Sequence, residues 1–175
     1  MGLLVRMLEK QKWEKIDLVQ MGHTKTPADT ITTDLKTSSN TLSLWRIEDD
    51  TEILKSVLAL AVMRNKITRL DVMIFDETEL IESGLEIQNT PENGDTPYEE
   101  FNQNHFDIIQ MDYEKLGHLS ELMIRKLKDD SKCIRYNKAK ISEILYNGLV
   151  DGNYLFEALS ESLQVDLKKI IDKKQ

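Results

Sequence analysis

Nucleophilic or metal chemistry in this chain would have to draw on four side chains, His23, His105, His118 and Cys133, and none of them stands in a CxxC, HExxH or comparable pattern. A zinc-type site therefore has no ligand spacing to rest on. His105 and Asp107 are two residues apart, so on a strand they would point to one face, where they could share a divalent ion. The scarcity of further ligands favours a surface histidine beside an acidic strand end. Cys133 lies in SKCIRY, among cations that could lower its pKa and make it reactive. No second member of a catalytic triad is readable, however, and an unexceptional lone thiol is the favoured reading. No GxSxG, Walker A or GxGxxG signature occurs among the seven glycines, which removes support from the acyl-transfer and nucleotide enzymes that use them. No metal and no cofactor is expected.

The remaining candidate is TPADTITTDLKTSSNTLSLWRI, Thr26 to Ile47. Its sharpest reading is phosphate capture, with the amides of a helix starting at Pro27 and the hydroxyls of Thr37, Ser38 and Ser39 as donors and Lys36 as counter-charge. Pro27 removes one of those amides, and Asp29 already places a carboxylate at the positive end of the helix dipole, where an incoming anion would be repelled. The turn that follows escapes this objection. Asp34, Lys36, Thr37, Ser38, Asn40 and Trp45 are accordingly the candidate ligand residues, at the junction of a polar turn and a strand. Against them stands the ordinary use of Ser, Thr and Asn in turns, which is to bond nearby backbone. A capped helix plus a turn is favoured.

Several elements must position these residues. Thr26 is a suitable N-cap and Pro27 a suitable first helical residue, so a helix runs from Pro27 to about Lys36, with Ala28, Ile31 and Leu35 on one face and Thr30, Thr33, Asp34 and Thr37 on the other. TLSLWRI reads as a strand with both faces partly covered. Upstream, strands are expected at Leu3 to Leu8 and Ile16 to Gln20, with a helix over Leu3 to Lys15 fitting nearly as well. An acidic cap at Asp49 to Glu52 precedes the core helix ILKSVLALAVMRNK. Leu70 to Phe75 is a buried strand, and TELIESG a helical turn closed by Gly84.

Leu85 to Asn104 carries two prolines, an Asn-Gly and no period, which predicts a long exposed acidic loop or a poorly ordered excursion. FDIIQM returns as a strand. Tyr113, Leu116, Leu119, Met123 and Leu127 then trace a helical stripe, and a second helix runs from about Asn137 to Leu149. A third opens at the Asp151-Gly152-Asn153 turn and carries Leu155, Phe156, Leu159 and Leu163. The fold class expected is α+β: a small mixed or antiparallel sheet in the N-terminal two-thirds packed by helices, then a helical C-terminal third. In domain terms, residues 1–111 form the α+β core and 112–175 a helical part packed on it.

The 175 residues are 40% hydrophobic, enough for a buried core. The longest apolar run, LALAVM, is far short of the roughly 18 to 20 residues of a membrane span. The N-terminus lacks a basic n-region and a small-residue cleavage site, Arg6 breaks the myristoylation pattern, and one cysteine cannot form an internal disulfide; together these predict a cytoplasmic protein.

Net charge is −8 and unevenly placed. Asp71 to Glu114 holds thirteen acidic residues and no Lys or Arg; Arg125 to Lys140 holds seven basic and two acidic residues, net +5, and the chain outside that block sums to −13. The acidic middle argues against nucleic-acid binding except through the basic segment 125–140, which could equally face the acidic middle of its own chain. The function expected is a small acidic binding or regulatory protein of accessory, antitoxin or immunity type, acting through protein-protein contacts with a basic partner and compatible with a homo-oligomer. The alternative is an enzyme or sensor of a small polar or phosphorylated ligand at the 36–45 junction.

Overall fold

The computed structural model describes residues 2–15 and 17–174. Six strands form one antiparallel sheet: β1 (Leu3–Leu8), β2 (Leu42–Ile47), β3 (Leu70–Asp76), β4 (Glu86–Asn89), β5 (His105–Ile109) and β6 (Cys133–Tyr136), in the order β4-β5-β2-β1-β3-β6. Alternation along the strands feeds two cores. Val5, Trp45, Ile47, Val72 and Ile74 pack on one face, against α4 (Ile53–Val62), α7 (Lys138–Val150) and α8 (Glu161–Lys174). Leu4, Leu42, Leu44, Met73 and Phe75 pack on the other, beneath α6 (Tyr113–Lys126) and the short helices α1 (Lys10–Trp13), α2 (Leu18–Met21), α3 (Ala28–Asp34) and α5 (Glu77–Glu82). Coverage on both faces is why β3 reads LDVMIFD without polar alternation.

Local chemistry sets the helix ends. Asp76, Asp112 and Asn137 each accept a backbone N–H of the first turn, at α5, α6 and α7. Gly84, just past α5, has φ +80, which a side chain resists. At Gly148 a Cβ would lie 2.7 Å from Leu58, so its absence lets α7 approach α4.

The expected α+β class is the observed one, with a six-stranded antiparallel sheet, packing helices and a helical C-terminal region. Details differ. The strand expected at Ile16 to Gln20 begins outside the described residues, and Leu18–Met21 is a single helical turn. The helix expected from Pro27 to Lys36 is shorter, and Pro27 itself occupies its N-cap with ψ 141, while the Thr26 hydroxyl donates to the His23 carbonyl. Thr30 and Asp34, assigned to its polar face, are buried.

The segment from Leu85 to Asn104 is not an exposed loop. It contains β4 and two stretches of 3-10 turn, and it buries Thr90, Thr96, Tyr98 and Phe101. Between the helices expected in 112–175 lies β6, hydrogen-bonded to β3. Tyr113, placed in the α6 stripe, is 93% exposed, and the last helix starts at Glu161 rather than at the Asp151 turn.

Candidate functional site

The six residues of the 36–45 junction are dispersed by the fold. Asp34 ends α3 and is buried; its Oδ2 accepts the Glu9 amide at 2.9 Å and the Trp13 indole N–H at 2.8 Å. Lys36 is exposed. Ser38 and Thr41 close a turn through reciprocal backbone bonds, with Ser39 and Asn40 both at positive φ, as a two-residue type I′ connection requires. The Thr41 hydroxyl donates to the Ser38 carbonyl, and the Asn40 carbonyl accepts the Met111 amide, so the turn is held by backbone bonds and the Thr41 side chain. Thr37 is half-buried beside it. Trp45 contributes to the core on one face of the sheet, whereas Leu35, next to Asp34, contributes to the core on the other.

Trp45 does meet the other expected pair. In the β2/β5 register Trp45 opposes His105 and Ser43 opposes Asp107, which puts His105, Asp107 and Trp45 on one face. The His105 ring stands edge-on to the Trp45 ring with centroids 5.1 Å apart. His105 and Asp107 are both buried, not at the surface. The Thr90 hydroxyl donates to Asp107 Oδ2 at 2.8 Å, as does the Asn93 side-chain Nδ2 at 2.8 Å. His105 Nδ1 lies 3.0 Å from both the Thr90 carbonyl and the Thr90 hydroxyl oxygen. A carbonyl only accepts, so Nδ1 carries the proton and offers no lone pair to a metal there. Nδ1 and Asp107 Oδ2 are 4.0 Å apart, with Thr90 as the link.

Asp107 Oδ1 is buried and receives no hydrogen bond among the described residues. Its charge is balanced at longer range by Arg6 of β1, whose guanidinium donates to the carbonyls of Asp34 and Ser43. Burial lowers the Arg6 pKa to about 10, against the opposing pull of Asp34 and Asp107, so it remains cationic at neutral pH. Through its bonds to the Asp34 and Ser43 carbonyls Arg6 ties β1 to α3 and β2, with both buried carboxylates attracting its charge. Among the described residues no group of three or more His, Cys, Asp or Glu side chains gathers to hold a metal.

Cys133 opens β6 facing the second core, 1% exposed. Burial pushes its thiol up to about 11, with Lys10 pulling the other way. Native protein should therefore react with a thiol reagent near pH 8 about a hundredfold more slowly than unfolded chain, on ionisation alone. The unfolded thiol ionises near 9.0 and the folded one near 11, so stability should fall as pH climbs through that window. Rapid labelling of the native chain would contradict this burial.

The segregated charge is partly consumed within the chain. Arg135 pairs with Asp71 at 2.7 Å and Lys126 with Glu79 at 2.6 Å, each joining the basic block to the acidic middle. Arg125, Lys128 and Lys140 also have carboxylate partners, leaving Lys132 and Lys138 as the block's cations without one among the described residues. No described helix is long and apolar enough to cross a membrane. Compared with protein-family models, curated proteins and solved structures, the chain matches none.

Proposed function

We propose that this protein acts by binding another protein, as an accessory or regulatory component, and that the partner presents a basic surface. The observation that carries this reading is the setting of Glu99 and Glu100. Both are exposed and lack a cationic partner among the described residues, while Asp71, Glu77, Glu79 and Glu86 of the same acidic stretch are paired internally. Glu99 and Glu100 share a shallow groove of about 190 Å³ with Leu155, which is 72% exposed. Uncompensated acid beside exposed apolar surface suits an interface whose partner supplies Lys or Arg around an apolar contact. Glu92 and Asp95, exposed on the same excursion, add to the field that would steer such a partner. The lone unpaired cysteine suits a reducing, cytoplasmic setting.

The test is capture of a partner from the source cells, repeated with a charge-reversed chain. The wild-type complex should form at low salt and weaken steeply toward about 0.5 M salt, where exposed charges are screened. Glu99→Lys with Glu100→Lys should slow association about tenfold or more. Glu161→Lys, an exposed reversal at the start of α8, should leave it unchanged. Absence of any partner at low salt, or an undiminished complex with the reversed pair, would defeat the reading.

A further inference from the structure

A cavity of about 480 Å³ opens where β1 ends, between the close of α3 and the segment that links α4 to β3. It is distinct from the groove at Glu99 and from the 36–45 turn, of whose candidate residues only Asp34 reaches it. Its volume lies within the roughly 300 to 1,000 Å³ of small-molecule sites. Two of the chain's six arginines, Arg64 and Arg69, line it.

The other four arginines are accounted for. Arg46, Arg125 and Arg135 pair with Glu77, Glu121 and Asp71, and Arg6 is committed to backbone carbonyls. Arg64 and Arg69 hold only neutral acceptors: Arg64 Nη1 reaches Met7 Sδ at 3.2 Å, and Arg69 Nη2 reaches Gln11 Oε1. A thioether is a weak acceptor, so most of the Arg64 fork is unused. Arg64 is half-buried and Arg69 exposed, so both guanidiniums face the opening of one cavity without a carboxylate partner among the described residues, on a chain of net charge −8.

The carboxylates of the same cavity do not neutralise them. Asp71 is held by two nitrogens of Arg135 and by the Lys10 amide. Asp34 is committed to the Glu9 amide and the Trp13 indole, and Glu9 pairs with Lys12 at 3.3 Å. Asp71 and Glu9 each have a cation of their own and Asp34 is occupied by neutral donors, so among the described residues no carboxylate of the cavity bonds Arg64 or Arg69. Met7 and Met63, 41% and 56% exposed, supply apolar surface to the same walls.

We propose that Arg64 and Arg69 form the anion-holding wall of a small-molecule site, whose ligand carries a phosphate or carboxylate group and packs an apolar portion against Met7 and Met63. The guanidinium fork matches either oxyanion in a bidentate manner, which distinguishes it from a lysine point charge. Binding here is independent of the partner-protein reading, since it uses neither Glu99 nor Leu155.

The test is a titration of the full-length, isotopically labelled chain with inorganic phosphate and, separately, with succinate, at low ionic strength, read by amide and arginine side-chain chemical shifts. Chloride at matched ionic strength is the control. Saturable shifts confined to residues 7–9, 33–34 and 63–71 are expected. Arg64→Gln and Arg69→Gln should each weaken binding about tenfold, whereas Arg125→Gln should leave it unchanged. Arg64→Lys, which keeps the charge and loses the fork, should fall between. A response to phosphate alone assigns a phosphorylated ligand, to succinate alone a carboxylate, and to both an oxyanion site in general. Shifts that chloride reproduces, that fail to saturate with either probe, or that persist undiminished in a folded Arg64→Gln, Arg69→Gln double variant overturn the proposal.

Discussion

Replacing Trp13 by alanine should cost this protein about 3–5 kcal/mol of stability, the usual range for deleting a large buried aromatic side chain. Trp13 is fully buried although it belongs to a helix of only four residues, α1. Its indole fills the second core, and its N–H donates to Asp34 Oδ2 at 2.8 Å. Trp13→Phe separates the two contributions: most of the volume stays, but one donor to a buried carboxylate is lost, for about 1–3 kcal/mol. Burial already holds the Asp34 carboxyl above its ordinary 3.8, with hydrogen bonds from the Glu9 amide and the Trp13 indole opposing the rise. Losing one of those bonds raises it further in the folded variant. An acid whose folded pKa is raised favours folding most below both pKa values, and that advantage is lost as pH rises. The penalty of Trp13→Phe should thus be largest at neutral pH and shrink as Asp34 protonates. Urea melts at pH 7 and in mild acid measure it; an equal penalty at both would show that the indole N–H contributes nothing through Asp34.

The same residue illustrates what a linear reading conveys. β2, β3, α4, α6 and α7 follow from periodicity and capping because each is long enough for several apolar positions to agree on one face. Asp34 could not be placed that way. Period 3.6 assigned it to the polar side of α3, and only the tertiary meeting of α1, β1 and α3 reveals that this side is also covered, by Trp13 and Arg6. β4 and β6 are four residues each, too short for alternation to show, and EIQN and CIRY acquire their roles from β5 and β3. His105 and Asp107 were legible as one face of a strand, but their burial was not, since the cover comes from an excursion whose composition reads as solvent-facing. The Arg64 and Arg69 cavity draws its walls from three separated segments, and no local pattern announces it.

That excursion is the subject of the second large effect. Phe101→Ala should destabilise the protein by about 3–5 kcal/mol and release residues 91–104 from the sheet. Phe101 is buried with its ring stacked on Trp45 at 5.5 Å and on Tyr98 at 5.5 Å, each pair adding about 0.5–1.5 kcal/mol beyond the area buried. The backbone around it forms only 3-10 turns, which hold little by themselves; the Thr96–Asn102 side-chain bonds tie the excursion to itself, and Asn93 to Asp107 and Asn89 to the Gln103 carbonyl tie its two ends to the sheet. Without the aromatic ladder the two ends stay tied to the sheet, but the Thr96–Asn102 tie only closes the middle of the loop on itself. Hydrogen exchange should therefore accelerate across 91–104 before it does in β1 and β3, and a protease should cut there first. A loss below about 1 kcal/mol with unchanged exchange would mean that the excursion is held by something other than Phe101. The consequence reaches function, because Glu99 and Glu100 adjoin Phe101 and owe their fixed position beside Leu155 to it. If the proposed partner recognises that arrangement and not charge alone, Phe101→Ala should weaken the complex even with every acidic side chain intact, and should do so through faster dissociation, since the steering charge is unchanged.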